Sequence, residues 1–313
     1  MKFALLFAGQ GSQTPGMGKD LYENCETFRR VFDLLPEELR NTAFEGPMEI
    51  LSDTRNTQPI LTAFSAGILA SLRELLQDKD FSPAAAAGLS LGEYAALHAA
   101  GVWDAATAVR LVTERGLAMH KAAEGIACSM YAVMGLDREV LQNCCQQAEP
   151  LGVVEITNDN CPGQLVIAGE KEAVEKCAGL ASDAGARRCV PLPVSGPFHT
   201  RFMKPAGQHL AKLFEETEFA PMQFPVIFNA AGRPKTETET VEELLVRQVS
   251  SGVRFTETIR WLEKEGVDTV LEIGPGKTLS GFVRKTCRGI NCISIDSFES
   301  LQQAAEKLKE ELA

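Results

Sequence analysis

The chain has 313 residues, of which 45% are apolar, and a formal net charge of −11. That length and apolar share support one large globular domain or a domain with an insert, and the acidic balance excludes non-specific nucleic-acid binding through a basic field. The nine cysteines form no C-x-x-C pair and no Cys/His cluster at metal spacing, so they are expected as reduced, mostly buried thiols, with neither zinc nor a disulfide framework.

At the N-terminus, Lys2 and the apolar run from Phe3 to Ala8 imitate a secretory signal, but the run is short and gives way to Gly9-Gln10-Gly11-Ser12-Gln13 without a cleavage site. It is read as a first buried strand. No apolar stretch is read as approaching the ~20 residues that span a bilayer, so a cytoplasmic protein without membrane contact is expected. Helices follow near Leu21 to Leu34 and Gln58 to Leu76, then a small-residue strand Ala84–Ala87, a sharp turn at Ser90, and helices Gly92–Ala100 and Asp104–His120. This alternation predicts a layered α/β domain.

Residues 125–194 change rhythm: strand Cys128–Met134, helix Asp137–Ala148, strands Val153–Thr157 and Gln164–Ala168, helix Glu170–Ala184 and strand Arg187–Pro191. The order βαββαβ is the ferredoxin-like unit, read here as an inserted subdomain in which Cys144 and Cys145 pack in a helix. Alternation then resumes with a helix at 200–217, strand Pro225–Asn229, helices at 240–250 and 255–265, strand Val267–Ile273, a helix at 277–287, strand Asn291–Ile295 and a closing helix. The larger α/β domain is therefore expected to be discontinuous, 1–124 and 195–313.

Two glycine-rich loops invite a phosphate reading and fail on spacing. A phosphate loop ending at Lys19 needs glycine and Ser/Thr where the chain has Gln13 and Asp20, and one ending at Lys277 needs glycine at Leu271. Both loops follow strands, where α/β sheets place their sites.

Gly88-Leu89-Ser90-Leu91-Gly92 fits a nucleophile elbow between strand and helix. The pattern alone also fits an ordinary tight turn. A serine nucleophile needs a base, and four histidines are available. His98 lies roughly 12 Å along the helix that follows Ser90, His120 suits a helix C-terminus and His209 a solvated helix face. His199, in the irregular loop Val194–Thr200, is the strongest base candidate. Arg110 reads as a surface residue beside Glu114, whereas Arg115 has Leu111, Val112, Ala118 and Met119 around it. A cation on an apolar face needs an anion, from the protein or from a substrate carboxylate.

These segments resemble the bacterial malonyl-CoA:acyl-carrier-protein transacylases of fatty acid synthesis. The resemblance rests on "FAGQGSQTPGMGKDLY" at 7–22, "GLSLGEYAAL" at 88–97, "RGLAM" at 115–119, "NCPGQLVIAG" at 160–169, "PVSGPFHTRFMKPA" at 193–206 and "EIGPGKTLSGFVRK" at 272–285. It implies a hydrolase-like α/β domain with a ferredoxin-like insert, Ser90 as the acylated nucleophile and His199 as its base. It further implies an oxyanion hole from the backbone N–H groups of Gln10 and Leu91, Arg115 on the malonyl carboxylate, and the Gln248 carbonyl orienting the histidine. Asn160 and the Gly274–Lys277 loop become pocket elements, and Phe198 resembles the malonyl-selective pattern. Leu89 departs from the family, which usually carries histidine there. The implied substrates are malonyl-CoA and holo acyl carrier protein, with no cofactor or metal, in a monomer. Arg187, Arg188, Lys204, Lys277, Arg284 and Lys285 are candidate contacts for the carrier. A serine hydrolase, a polyketide acyltransferase and a catalytically silent carrier-binding module are the alternatives.

Overall fold

The computed structural model describes residues 1–77, 81–194 and 196–311. Its contacts divide the chain into two compact units: Met1–Gly116, Glu218–Ile227 and Ile259–Ala313 form the first, and Leu117–Thr217 with Phe228–Thr258 the second. The domain boundary expected at residue 195 lies outside the described residues.

In the first unit, parallel strands run in the order Asn291–Ile295, Thr269–Ile273, Phe3–Phe7, Ala85–Gly88, and then the paired residues Val226 and Ile227. The three inner strands are buried at every residue. Strands covered on both faces carry unbroken apolar runs, which is why the run at Phe3 shows no alternation. Pairing of Phe7 with both Ile273 and Gly88 brings three strand ends level. The loops that follow, at Gly9-Gln10, at Ser90 and at Gly274–Lys277, therefore emerge side by side. Strand order reverses between Phe3–Phe7 and Thr269–Ile273, the kind of switch point at which open α/β sheets bind ligands.

Helix Thr54–Leu76 starts at Asp53, whose Oδ1 accepts the Arg55 N–H at 2.9 Å, and is buried continuously from Thr57 to Leu69. It corrects the reading that no stretch approaches a membrane-spanning length: this helix is long and apolar enough by length and composition, with 78% of its most apolar window buried inside the protein. Thr57, Gln58, Thr62 and Ser65 had interrupted the run in the sequence. The single helix expected at 21–34 is two, Lys19–Asn24 and Glu26–Phe32, broken where Cys25 turns extended. Helices Glu37–Glu45 and Met48–Leu51 were not foreseen; each opens after a proline, a residue tolerated at helix starts.

The second unit contains the expected βαββαβ order. Its sheet runs Arg188–Pro191, Cys128–Met134, Gln164–Glu170, Val154–Cys161 and Val253–Arg254. The first four strands pair antiparallel and the last joins in parallel. Helices Arg138–Ala148 and Lys171–Asp183 bury Leu141, Cys144, Cys145, Val174 and Cys177 in a shared core with Val133 and Ile167. Strand Val154–Cys161 outruns the expected end at Thr157, because register shifts after Ile156 and Asp159 break the period-two pattern by which strands are read.

Candidate active site

Ser90 follows strand Ala85–Gly88 and precedes helix Gly92–Ala99. Its φ of 53° is in the left-handed region, where a side chain is strained. The glycines around it have a steric reason. A Cβ on Gly88 would lie 1.9 Å from the Gly92 carbonyl carbon, and one on Gly92 would lie 2.2 Å from the Phe7 oxygen. The neighbouring loop is equally close, since a Cβ on Gly9 would meet the Leu89 oxygen at 2.2 Å. The Leu89 N–H also donates to the Phe7 carbonyl at 3.0 Å. Residue 89 is thus held by its backbone, and its side chain is half-buried.

Arg115 is 1% exposed. Its Nη2 donates to the Ser90 Oγ at 3.1 Å and its Nη1 to the Gln58 Oε1 at 2.8 Å, while its guanidinium carbon lies 5.5 Å from the Tyr94 ring centre. Burial lowers the Arg115 pKa, and the nearby Tyr94 and Glu93 oppose that shift. Burial likewise raises the Tyr94 phenol, against the pull of Arg115. Gly116 makes the arginine's position possible, since a Cβ there would lie 2.9 Å from the Thr54 oxygen.

Gln10 is half-buried in the loop after the first strand, and its Oε1 accepts the Thr54 hydroxyl at 2.9 Å. Leu91 is buried at the start of the helix, whose N-terminal dipole favours negative charge. The Gly274 loop closes over the first strand's end: the Ala8 N–H donates to Ile273 at 3.0 Å, and a Cβ on Gly274 would lie 2.3 Å from that of Ala8. Glu272, fully buried, accepts the N–H groups of Leu279 and Ser280 at 2.8 Å each, anchoring the helix that follows this loop.

In the second unit His199 is 6% exposed with φ 62°. Its Nδ1 lies 2.9 Å from the backbone oxygen of Gln248, the last residue of helix Val241–Gln248. Donation from Nδ1 leaves the neutral ring with its lone pair on Nε2. Phe198 and Asn160 are buried, Asn160 on the strand's bulged end. The other histidines have different settings. His98 Nδ1 lies 2.9 Å from the Trp103 oxygen, His120 lies 3.9 Å from Glu124, and His209 is exposed. Among the described residues, no group of three or more His, Cys, Asp or Glu side chains forms a metal site.

The structure thus joins Ser90, Arg115 and Gln10 within one unit, and His199 with Gln248 within the other. Sequence reading missed Thr54, Gln58, Glu93 and Gly116. A signal was available for two of them: Thr54 and Gln58 are polar, four apart, at the start of an otherwise apolar helix.

A family model described as the acyl transferase domain matches residues 4–308. The malonyl CoA-acyl carrier protein transacylase of Bacillus subtilis (strain 168) is 42% identical over 315 residues, covering 99% of this chain and 98% of the relative. That of Haemophilus influenzae is 41% identical over 311 residues, covering 98% and 99%. A solved malonyl-transacylase, in complex with its type II PKS acyl-carrier protein, is similar at 39% identity and a TM-score of 0.92, covering 98% of this chain and 100% of the other.

Proposed function

The chain belongs to the acyl transferase domain family, among the malonyl CoA-acyl carrier protein transacylases; from that premise we propose that it moves a malonyl group from malonyl-CoA to the phosphopantetheine thiol of holo acyl carrier protein through an ester on Ser90. His199 takes the Ser90 proton as Oγ attacks the thioester carbonyl. The backbone N–H groups of Gln10 and Leu91 hold the oxyanion. Collapse breaks the carbon–sulfur bond, and the departing coenzyme A sulfur receives the proton from His199. In the second half the carrier thiol gives its proton to His199 and attacks the malonyl ester. Ser90 leaves and regains the proton.

One observation carries this reading: the hydroxyl of a strained, helix-leading serine accepts a hydrogen bond from a buried arginine at 3.1 Å. A nucleophile beside a desolvated cation suits an acyl group that carries its own carboxylate. The Gln248 carbonyl at His199 Nδ1 supports the tautomer that a base requires. The same reading assigns the reaction to fatty acid synthesis by a cytoplasmic monomer without a cofactor. It takes 125–194 as the insert in a discontinuous 1–124 and 195–313 domain, with Phe198, Leu89 and Asn160 shaping the acyl pocket.

The test is intact mass after incubation with malonyl-CoA. A malonyl adduct is expected, absent in Ser90→Ala and discharged by holo acyl carrier protein. No adduct under rapid acid quench would overturn the reading, and an adduct discharged by water as fast as by the carrier would make the protein a hydrolase.

A further inference from the structure

Arg115 and Gln10 are joined by a continuous chain of hydrogen bonds. Arg115 Nη1 donates to Gln58 Oε1 at 2.8 Å, Gln58 Nε2 donates to Thr54 Oγ1 at 2.8 Å, and Thr54 Oγ1 donates to Gln10 Oε1 at 2.9 Å. Every link donates in the same direction. Gln58 and Thr54 are both fully buried, so their polar groups depend on these partners rather than on water. They stand one helical turn apart at the start of helix Thr54–Leu76 and therefore share a face.

We propose that Gln58 and Thr54 are positioning residues, which tie the Arg115 guanidinium to the Gln10 loop and make the enzyme selective for acyl groups bearing a carboxylate. The inference rests on the malonyl-transfer reading above.

The argument turns on the chemistry of residue 58. An amide oxygen orients one edge of the guanidinium without neutralising it. A carboxylate in the same place would pair with Arg115 from within the protein, the commoner fate of a buried arginine. A carboxylate there would also repel an anionic acyl group beside Arg115. The amide also has what a carboxylate lacks, an N–H to pass the chain on to Thr54. Thr54 then holds the Gln10 side chain, and with it the loop whose backbone N–H the malonyl-transfer reading assigns to the oxyanion. Residue 58 accordingly governs which acyl group is accepted, and residue 54 governs how fast any acyl group reacts.

The experiment measures kcat and KM for loading of Ser90 from malonyl-CoA and from acetyl-CoA, in the full-length enzyme and four variants, with thermal midpoints as a check on folding. Arg115→Ala calibrates the assay. Gln58→Glu is expected to lower the malonyl-to-acetyl ratio of kcat/KM by about tenfold or more. Thr54→Val is expected to lower kcat for both substrates by about tenfold with KM little changed, and Thr54→Ser, which keeps the hydroxyl, to stay within about twofold of the parent. If Arg115→Ala shifts the ratio and Gln58→Glu does not, the proposal for Gln58 is overturned while the malonyl reading stands. If Arg115→Ala leaves the ratio unchanged, the carboxylate reading falls and the inference with it. Should Gln58→Glu fail to fold, the Thr54 pair decides: equal rates for valine and serine overturn the relay.

Discussion

Ser90 and His199 are two of the three non-glycine residues with positive φ among the described residues, Gln77 being the third, and the chain supports them in opposite ways. The Ser90 turn is held by its neighbours. Gly88 and Gly92 lie two residues to either side, and the Gly9 loop presses on the adjoining backbone. The His199 loop depends on a distant segment, the carbonyl of Gln248, 49 residues further on. That carbonyl ends a helix packed closely on helix Lys204–Glu215, where a Cβ on Gly207 would lie 3.0 Å from the Val246 oxygen. A nucleophile's turn is thus a local construction, and a base's orientation a tertiary one.

The largest expected effects separate the two regions by substrate. His199→Ala should slow loading of Ser90 by about 10²–10⁴-fold with malonyl-CoA and acetyl-CoA alike, as removal of a general base does. Arg115→Ala should cost about 2–5 kcal/mol in kcat/KM for malonyl-CoA, the range for breaking a buried charge pair, and much less for acetyl-CoA. Rapid-quench intact mass reads both; equal losses for the two substrates in Arg115→Ala would refute the carboxylate clamp.

Next comes the steric difference. Gly88→Ala should lose about 3 kcal/mol of stability in urea unfolding, because its clash is with backbone that the turn cannot move. Gly207→Ala, with a contact of 3.0 Å, should lose about 1 kcal/mol or less. Similar losses at the two sites would mean that the helix ending at Gln248 is packed as tightly as the elbow.

Strain is a smaller effect. At φ 53° a Cβ costs about 1 kcal/mol, so Ser90→Gly should unfold at higher urea than Ser90→Ala although both are inactive. The reverse order would show that the turn is unstrained.

The smallest effect concerns His98, which shares the Nδ1-to-carbonyl bond of His199 but lies in a helix. Burial holds its pKa below the ordinary value of 6.5. The unfolded chain therefore takes up that proton first, and stability contributed by neutral His98 is present above about pH 6.5 and lost as pH falls towards the folded pKa. His98→Gln should flatten the fall in thermal midpoint on acidification through that range. An unchanged slope would assign the acid sensitivity to other groups.

Much of this was legible from the chain. The glycine spacing around Ser90 announced a tight turn, elbow or ordinary, because the clash it avoids lies within two residues. The apolar neighbours of Arg115 announced a buried cation because helical spacing puts them on one face. The βαββαβ order came from strand and helix periods, and Asn160 was missed as a strand residue where bulges broke the period. Gln58 passed unnoticed because a buried glutamine looks like any polar residue until its partners are known.

What the sequence by itself determined are the properties set by neighbours along the chain: most element types, the tight glycine-flanked turn at Ser90 and the apolar surroundings of Arg115. Tertiary structure alone decided the partnerships. Phe3–Phe7 pairs with strands that begin 82 and 266 residues later, Ala85–Gly88 and Thr269–Ile273, and so aligns three loops at one sheet end. Arg115 is joined to Gln10 through Gln58 and Thr54. The reason is physical: local sterics and periodicity act over a few residues, whereas a buried hydrogen bond forms only between groups that packing has already brought within about 3 Å.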